Sequence, residues 1–347
     1  MKKVILLLIL LSSMIIPSSA TEYTAPDVPE SGELYMPEDT QSFSEGLMFV
    51  LGSALKHIAP EITDALQICV KILLLFLLIS IVDAVNEQHS MVIHLAASVL
   101  LGIMMLQPAS TLFRLAFQTI QDMTQYGKLL IPVMSAALAA QGGITSSAAL
   151  YAGTTVFISI LSLVISSLII PLLYIYICIS ICCGALADKT LCSIRDFIKW
   201  LVTWILKIIL YVFTGYISIT GVITGTTDAS ALKAAKLAIS GTVPVVGSII
   251  SDASDTVLIS AGFMKNTAGI YGIIAVFAVF VGPFLKIGVQ YLALKLTAGL
   301  CSTFGKREEV AVLNDCSNAM GLALASIGTM CLMLFIGIVC FIKGVSL

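Results

Sequence analysis

The sequence has few charged residues for its length. Only 11% of its 347 residues are Asp, Glu, Lys or Arg, whereas a soluble domain carries roughly 25%. So few charges cannot cover the water-facing surface of a chain of this size. The hydrophobic share is 59%, and the apolar runs are long enough for helices rather than the short alternating strands of a membrane barrel. We therefore predict a polytopic membrane protein.

Sequence signals of catalysis, metal binding and nucleic-acid binding are also lacking. There is no HExxH and no paired Cys/His metal spacing, and His89 and His94 are too far apart to share a helix face well. Residues 299–306 resemble a P-loop, but the spacing is one residue too long and Arg307 stands where Ser or Thr is required. No basic cluster reaches the size expected of a nucleic-acid-binding protein. We predict no enzyme activity, no cofactor, no metal site and no nucleic-acid partner.

The nine cysteines include no CxxC pair. Most of them lie in apolar runs, where cysteine behaves as a small hydrophobic residue. None lies in the N-terminal segment that we place outside the cell, so we expect no disulfide framework.

The N-terminal part of the sequence predicts two segments before the first span. Residues 1–20 have two lysines, an apolar core, a proline and a Ser-Ser-Ala end, which is typical of a signal peptide. An uncleaved anchor is the alternative. Residues 21–65 then combine an acidic stretch without Lys or Arg with an amphipathic helix, and residues 66–347 form the transmembrane domain.

Apolar runs predict an all-α transmembrane helix bundle of about six spans, with a range of six to eight. The third run is too long for one straight helix and contains Pro171, so it is either kinked or two shorter helices. Residues 112–127 form an amphipathic stretch between the second and third runs. The six runs cover residues 66–82, 91–107, 148–183, 200–224, 268–292 and 320–342.

Lysine and arginine positions predict the orientation of the bundle. The loop at 188–199 carries three basic residues, and the region from Lys295 to Arg307 carries three more. Both are expected to be cytoplasmic by the positive-inside rule. With a cleaved signal and six spans, the mature N-terminus and the C-terminus then lie outside.

Two Pro/Gly-interrupted segments, 131–141 and 242–250, are predicted to be re-entrant or to lie at the outer surface. The first contains Pro132 and is followed by Gly142 and Gly143, and the second contains Pro244 and Gly247. Paired broken helices of this kind indicate a transport or pore site. The alternative is that both are kinked packing helices.

The second segment leads into two acidic residues, Asp252 and Asp255, which share one face if the segment is helical. Lys265 and Asn266 follow about three turns later. Charges at membrane depth are costly and usually functional, although the two acids could also be solvated or cap a helix. Lys71 and Lys207 near span ends are expected to snorkel, and so is Lys286, for which a buried partner is the alternative.

The strings IPVMSAALAAQGGITSSAALY and VPVVGSIISDASDTVLISAGFMKNTAGIYG resemble the stage III sporulation protein AE family of endospore-forming bacteria. The second string is the more specific, with its PVVG turn, the SDASDT run and the KN pair. The resemblance implies a multi-pass protein of the mother-cell membrane around the forespore. Its implied partners are the other membrane proteins of the stage III A operon and, through them, the forespore channel protein.

The resemblance further implies a component of a channel or secretion-like complex that supports forespore development. A non-conducting scaffold for that complex and a free-standing secondary transporter remain alternatives. The family supplies no catalytic residues to carry over. The candidate pore or assembly residues are Pro132, Gly142, Gly143, Pro244, Gly247, Asp252, Asp255, Lys265 and Asn266.

Overall fold

The computed structural model describes residues 26–37, 43–85, 90–186, 188–242, 247–303 and 307–343. For 90–91, 221–242 and 247–265 it describes the backbone alone. Every regular element in these ranges is a helix. They are α1 (Glu30–Glu33), α2 (Phe43–Val85), α3 (Ser90–Ala140), α4 (Ile144–Val164), a π-helical turn (Ile165–Ile169), α5 (Ile170–Leu186), α6 (Lys189–Thr242), α7 (Gly247–Cys301) and α8 (Arg307–Lys343).

Six helical segments in the described ranges are long and apolar enough to cross a membrane, with α4, the π-helical turn and α5 forming one of them. This confirms the predicted all-α bundle of about six spans. The segments are Phe43–Val85, Val92–Ala140, Ile144–Leu186, Lys189–Thr220, Asn266–Cys301 and Arg307–Lys343.

The helices extend past the predicted runs because apolar and amphipathic stretches fuse. The sequence predicts an amphipathic helix within 21–65 that is distinct from the first span at 66–82. In the structure, residues 43–65 and the first span form one helix, α2. Residues 108–140 likewise continue the second span as α3, without a break at Pro108 or Pro132. An interior proline removes one backbone hydrogen bond, which packed neighbours can offset. The first proline-containing segment is therefore the last part of a long helix and forms no separate re-entrant element.

The chain stays helical through Pro171, with a change of helix type just before it. The five residues Ile165–Ile169 form a π-helical turn, and α5 begins one residue before the proline. A π-helical turn is one way in which a long helix absorbs a missing N–H donor. The third run is thus one helical segment with a π-helical turn inside it. The alternative of two separate shorter helices is wrong.

Helices alternate in direction, so that their connections gather at two ends of the bundle. At one end His94 lies between Asp83 and Glu309, which joins the α2–α3 connection to the start of α8. The α5–α6 connection lies at the same end, where Gly184 packs against Val312. We call this the basic end, because it carries the two lysine- and arginine-rich loops. At the opposite end the α3–α4 turn packs near the C-terminal part of α8 through Met134, Gly269 and Ile342.

The core is one large apolar cluster to which all the long helices contribute, with most of its buried side chains on α3, α7 and α8. Helices α7 and α8 form the centre of this cluster. In the most apolar part of each of them, more than half of the residues are buried inside the protein. A small second cluster joins Val50 and Ala54 of α2 to Ile274, Ala278 and Val281 of α7. Helices α2, α4 and α6 lie outside this centre and expose many large apolar side chains.

Candidate functional site

The acidic segment that the sequence singles out lies at the start of a continuous helix. α7 begins at Gly247 and runs unbroken through Asp252, Asp255 and Lys265 to Cys301. Pro244 lies outside the described residues, as do the side chains of the two acids and of Lys265. Asn266 is exposed. For this segment the structure therefore gives a helical backbone, on which the two acids are three residues apart and share a face.

The first segment places its glycines in a tight turn between α3 and α4. Gly142 has φ of 91°, a conformation that residues with a Cβ rarely adopt. The turn is closed by Ser135 and Ser147, whose hydroxyl oxygens are 2.8 Å apart, while Ser147 also donates to the Ser135 carbonyl at 2.7 Å. Gly142 and Gly143 thus reverse the chain, which is a structural role, and Pro132 lies three turns before them in α3.

A polar stripe runs along the exposed face of α3. Its members recur at alternating steps of four and three residues, which keeps them on one side of a helix. All of them are exposed. The stripe consists of Gln107, Thr111, Arg114, Gln118, Gln121, Gln125 and Lys128. At 1.5 Å per residue it extends over about 32 Å, close to the roughly 30 Å thickness of a bilayer core.

The opposite face of α3 is fully packed. Its side chains are at most 5% exposed, and they are Leu112, Phe113, Ala116, Ile120, Met123, Tyr126 and Leu130. Phe113 meets Tyr174 of α5 edge-on at 5.1 Å between ring centroids. Farther along, Gly127 packs against Ile158 of α4 and Leu334 of α8. The polar stripe therefore lies at the same level as the most apolar parts of α4, α5 and α8.

Those neighbouring helices expose apolar side chains at this level. Val156, Ile160 and Leu163 of α4 are 53%, 44% and 64% exposed. The matching part of α6, fixed by the packing of Phe213 on Phe157, exposes Tyr211 and other large side chains. Surfaces of this kind suit a lipid environment, whereas the α3 stripe requires water or a polar partner. The side of the bundle formed by α3 thus needs a polar environment, whereas the sides formed by α4 and α6 suit lipid.

The stripe leads at one end into a cavity of about 450 Å³ between α2, α3 and α7. Gln107 and Thr111 belong to both. Most of the lining side chains are polar, and the polar ones are Glu61, Asp64, Gln67, Lys71, Gln107, Thr111, Lys286 and Gln290. Together the stripe and the cavity form one polar surface.

Lys286 has a partner in this cavity. Its ammonium Nζ lies 2.9 Å from the Glu61 carboxylate Oε1, which ties α7 to α2. Both side chains remain partly exposed, so the pair is solvated and contributes little to stability. Gln290, one turn further along α7, is 6% exposed, and its amide nitrogen has no hydrogen-bond partner in the described part of the chain. A buried amide of this kind can donate to a solute or a water in the cavity.

The N-terminal segment 26–37 packs across the same side of the bundle. The Ser31 hydroxyl donates to Asp122 of α3 at 2.7 Å. Gly32 and Tyr35 lie against Val279 and Gly282 of α7, at positions where a Cβ on either glycine would be crowded. Burial raises the pKa of Tyr35 above its ordinary value, and the Glu61 carboxylate raises it further. This acidic segment therefore borders the polar surface.

Two further charged clusters lie at the basic end. The first joins Arg195 of α6 to Asp315 of α8 at 2.7 Å, and the Tyr176 hydroxyl of α5 donates to the same carboxylate at 3.1 Å. The second is His94, whose ring nitrogens lie 2.6 Å from Glu309 and 3.1 Å from Asp83. Both clusters connect elements that are distant in sequence, and we interpret them as contacts that stabilise the packing of the bundle.

Cys183 and Cys192 form a disulfide in this structure. The expectation that the cysteines imply no disulfide is wrong for this pair. The reason is geometric, because the short α5–α6 connection brings the ends of two antiparallel helices together and leaves the two Cα atoms 5.3 Å apart. The described residues contain no group of three or more His, Cys, Asp or Glu side chains arranged to hold a metal ion.

The polar stripe and the Glu61 partner of Lys286 are the features that sequence reasoning missed. The stripe had a signal, since the amphipathic run 112–127 was recognised and its polar residues keep a regular four-three spacing. The prediction began only at residue 112, so the continuation of the stripe back to Thr111 and Gln107 was not recognised. The Glu61–Lys286 pair had no comparable signal, because its partners are far apart in the sequence.

Six long apolar helices with one polar face define a multi-pass helical membrane protein. The family model described as stage III sporulation protein AE matches residues 38–344, and the chain belongs to this family. The predicted family resemblance is therefore confirmed.

The chain is also similar to the stage III sporulation protein AE of Bacillus subtilis (strain 168). The two are 26% identical over 232 residues, which cover 67% of this chain and 58% of the relative. The chain thus matches somewhat more than half of the relative's length. No solved structure matches the chain.

Proposed function

We propose that this chain is a membrane component of a multi-protein channel or secretion-like complex that links mother cell and forespore during sporulation. It would lie in the mother-cell membrane around the forespore, with its basic end in the cytoplasm and its mature N-terminus outside. Its partners would be the other stage III A operon membrane proteins and, through them, the forespore channel protein. Family membership supports the sporulation context.

The observation that carries the channel role is the polar stripe of α3. A face with Arg114, Lys128 and several glutamines, about as long as a bilayer core is thick, is unfavourable against lipid. It becomes favourable when a polar path or a partner subunit with a matching polar face covers it. The stripe's spacing of 3.5 residues per turn is the one that lets a helix follow a neighbouring helix over many turns. We therefore infer that α3 lines a polar path shared with partner subunits.

The cavity supports the same role. It opens beside Gln107 and Thr111 and adds charged side chains to the polar surface. Asp252, Asp255, Lys265 and Asn266 belong to α7, the helix that supplies Lys286 and Gln290 to the cavity. They remain candidate pore or assembly residues, together with Pro132, Gly142, Gly143, Pro244 and Gly247.

The test expresses a variant with Gln118, Gln121 and Gln125 replaced by leucine in an endospore former whose own copy of the protein is deleted. The protein level is checked by immunoblot. Loss of forespore growth at a normal protein level is the expected result. The matched control replaces Val156, Ile160 and Leu163 of α4 by alanine. This control changes an exposed surface at the same level, and it should leave forespore growth intact.

Co-purification of the operon's membrane proteins with the leucine variant separates the channel from a scaffold. Partners that stay bound while the forespore fails support a path. If the partners no longer co-purify and the forespore also fails, α3 is a docking face and the non-conducting scaffold is favoured. A forespore that develops normally with three leucines in the stripe contradicts the proposal.

A further inference from the structure

The disulfide joins the end of α5 to the start of α6 and lies at the basic end. Cys183 and Cys192 are nine positions apart. Cys183 is 5% exposed, whereas Cys192 is half-buried and the more accessible of the two. The other seven cysteines have free thiols, and among them Cys178 and Cys182 are exposed. Cys183 and Cys192 thus differ from the other seven cysteines, because they are bonded to each other and connect two helices.

Arg195 connects this disulfide to the charged cluster of α6 and α8. Its Nη1 atom lies 3.7 Å from Cys183 Sγ and 2.7 Å from Asp315 Oδ2. The same guanidinium nitrogen therefore faces a sulfur and a carboxylate. A positive group beside a cysteine sulfur stabilises the thiolate that forms when a disulfide opens. The two sulfurs are consequently unequal, because only Cys183 has this neighbour in the described structure.

We propose that Cys183 and Cys192 are a reversible dithiol–disulfide site that exchanges with small thiols at the basic end of the bundle. This inference is independent of the polar path. A small thiolate attacks the accessible Cys192 sulfur, the Cys183–Cys192 bond breaks, and Cys183 leaves as a thiolate beside Arg195. A second small thiolate attacks the mixed disulfide, which releases the small disulfide and the Cys192 thiolate. Two electrons pass from two small thiols to the protein, and water supplies the protons taken up.

The reaction in reverse, with the small disulfide as oxidant, restores the bond. In the bonded form the Nη1 atom of Arg195 faces the Asp315 carboxylate, while Nε and Nη2 face the exposed Asp196. In the open form the Cys183 thiolate competes for the same Nη1 atom. Because Arg195 and Asp315 connect α6 to α8, the redox state of the pair changes a contact between two helices.

The test uses the full-length protein in detergent, equilibrated in buffers of reduced and oxidised glutathione. Free thiols are blocked, disulfides are then reduced, and the released thiols are labelled with a maleimide polymer that is counted by gel shift. Wild-type protein is expected to gain two labels under oxidising buffers and none under reducing ones. Cys183→Ser with Cys192→Ser should gain none, while the control Cys178→Ser with Cys182→Ser should behave like wild type.

Two results would overturn the proposal. One is the absence of a two-label species in wild-type protein at every glutathione ratio. The other is an unchanged two-label species in the Cys183→Ser, Cys192→Ser protein. The role of Arg195 is tested by the rate at which reduced glutathione opens the bond. Arg195→Gln should slow opening about three- to tenfold, Asp196→Asn should not, and an unchanged rate in Arg195→Gln would refute that role.

Discussion

His94 and Glu309 are 215 positions apart in sequence, yet the imidazole Nδ1 lies 2.6 Å from the carboxylate Oε1. The other ring nitrogen faces Asp83. The imidazole therefore links two acidic side chains that come from distant parts of the sequence. This contact fastens the α2–α3 connection to the start of α8, where Glu309 is 1% exposed.

Replacing His94 by glutamine should therefore destabilise the protein. Glutamine has one donor group and a different reach, so at least one of the two acidic side chains loses its hydrogen bond, at a cost of about 1–3 kcal/mol. Thermal unfolding of the detergent-purified protein measures the change, with a lower midpoint expected. His57→Gln is the control, because that ring is exposed, is hydrogen-bonded to the Ser53 carbonyl of its own helix and meets Tyr35 edge-on, without a buried carboxylate partner. Equal midpoints for the two variants would contradict the account.

Asp315→Asn should weaken the attachment of α6 to α8. The substitution keeps the shape of the side chain but leaves Arg195, whose side chain is 15% exposed, without its buried partner. Breaking a largely buried pair costs about 2–4 kcal/mol, which thermal unfolding reports as a midpoint lowered by several degrees. Asp196→Asn removes an exposed partner of the same arginine and should change the midpoint far less. A larger effect from Asp196→Asn would refute the assignment.

Gly153→Ala should disturb the contact between α4 and α6. A Cβ at this position would collide with the ring of Tyr216, whose hydroxyl donates to the Ala149 carbonyl at 2.9 Å. We expect a loss of about 1–3 kcal/mol, measured by thermal unfolding. Gly215→Ala is the matched control, since a Cβ at this position would point into open space. That change should be neutral or stabilising, because alanine favours helix.

Composition and the apolar runs were sufficient to predict the class of fold. The number of spans followed from them, because a stretch of about twenty apolar residues can only be accommodated as a membrane helix or a deeply buried one. Helix ends could not be predicted, since the fusion of 43–65 with the first span depends on packing against α7 rather than on local pattern. At Pro132 the structure has continuous helix, so the re-entrant alternative is wrong there and the packing-helix alternative holds.

The candidate site was predicted less completely. Snorkelling was expected for Lys286, with a buried partner only as the alternative, and Glu61 could not be found without the spatial arrangement of α2 and α7. The amphipathic stretch of α3 was seen, and its register predicts which face is polar. Its position beside the apolar parts of α4 and α8 was not predictable, because that depends on how the helices are shifted along one another.

The most direct measurement is the accessibility of single cysteines along α3 and α4 in sporulating cells. Cys178 and Cys182 are first replaced by serine, and Gln118, Gln121 and Gln125 or Val156 and Ile160 are then changed to cysteine one at a time. If α3 lines a polar path, a membrane-impermeant thiol reagent applied from the extracytoplasmic side labels the three α3 positions and spares the two α4 positions. Equal protection of all five positions would contradict a water-filled path along α3.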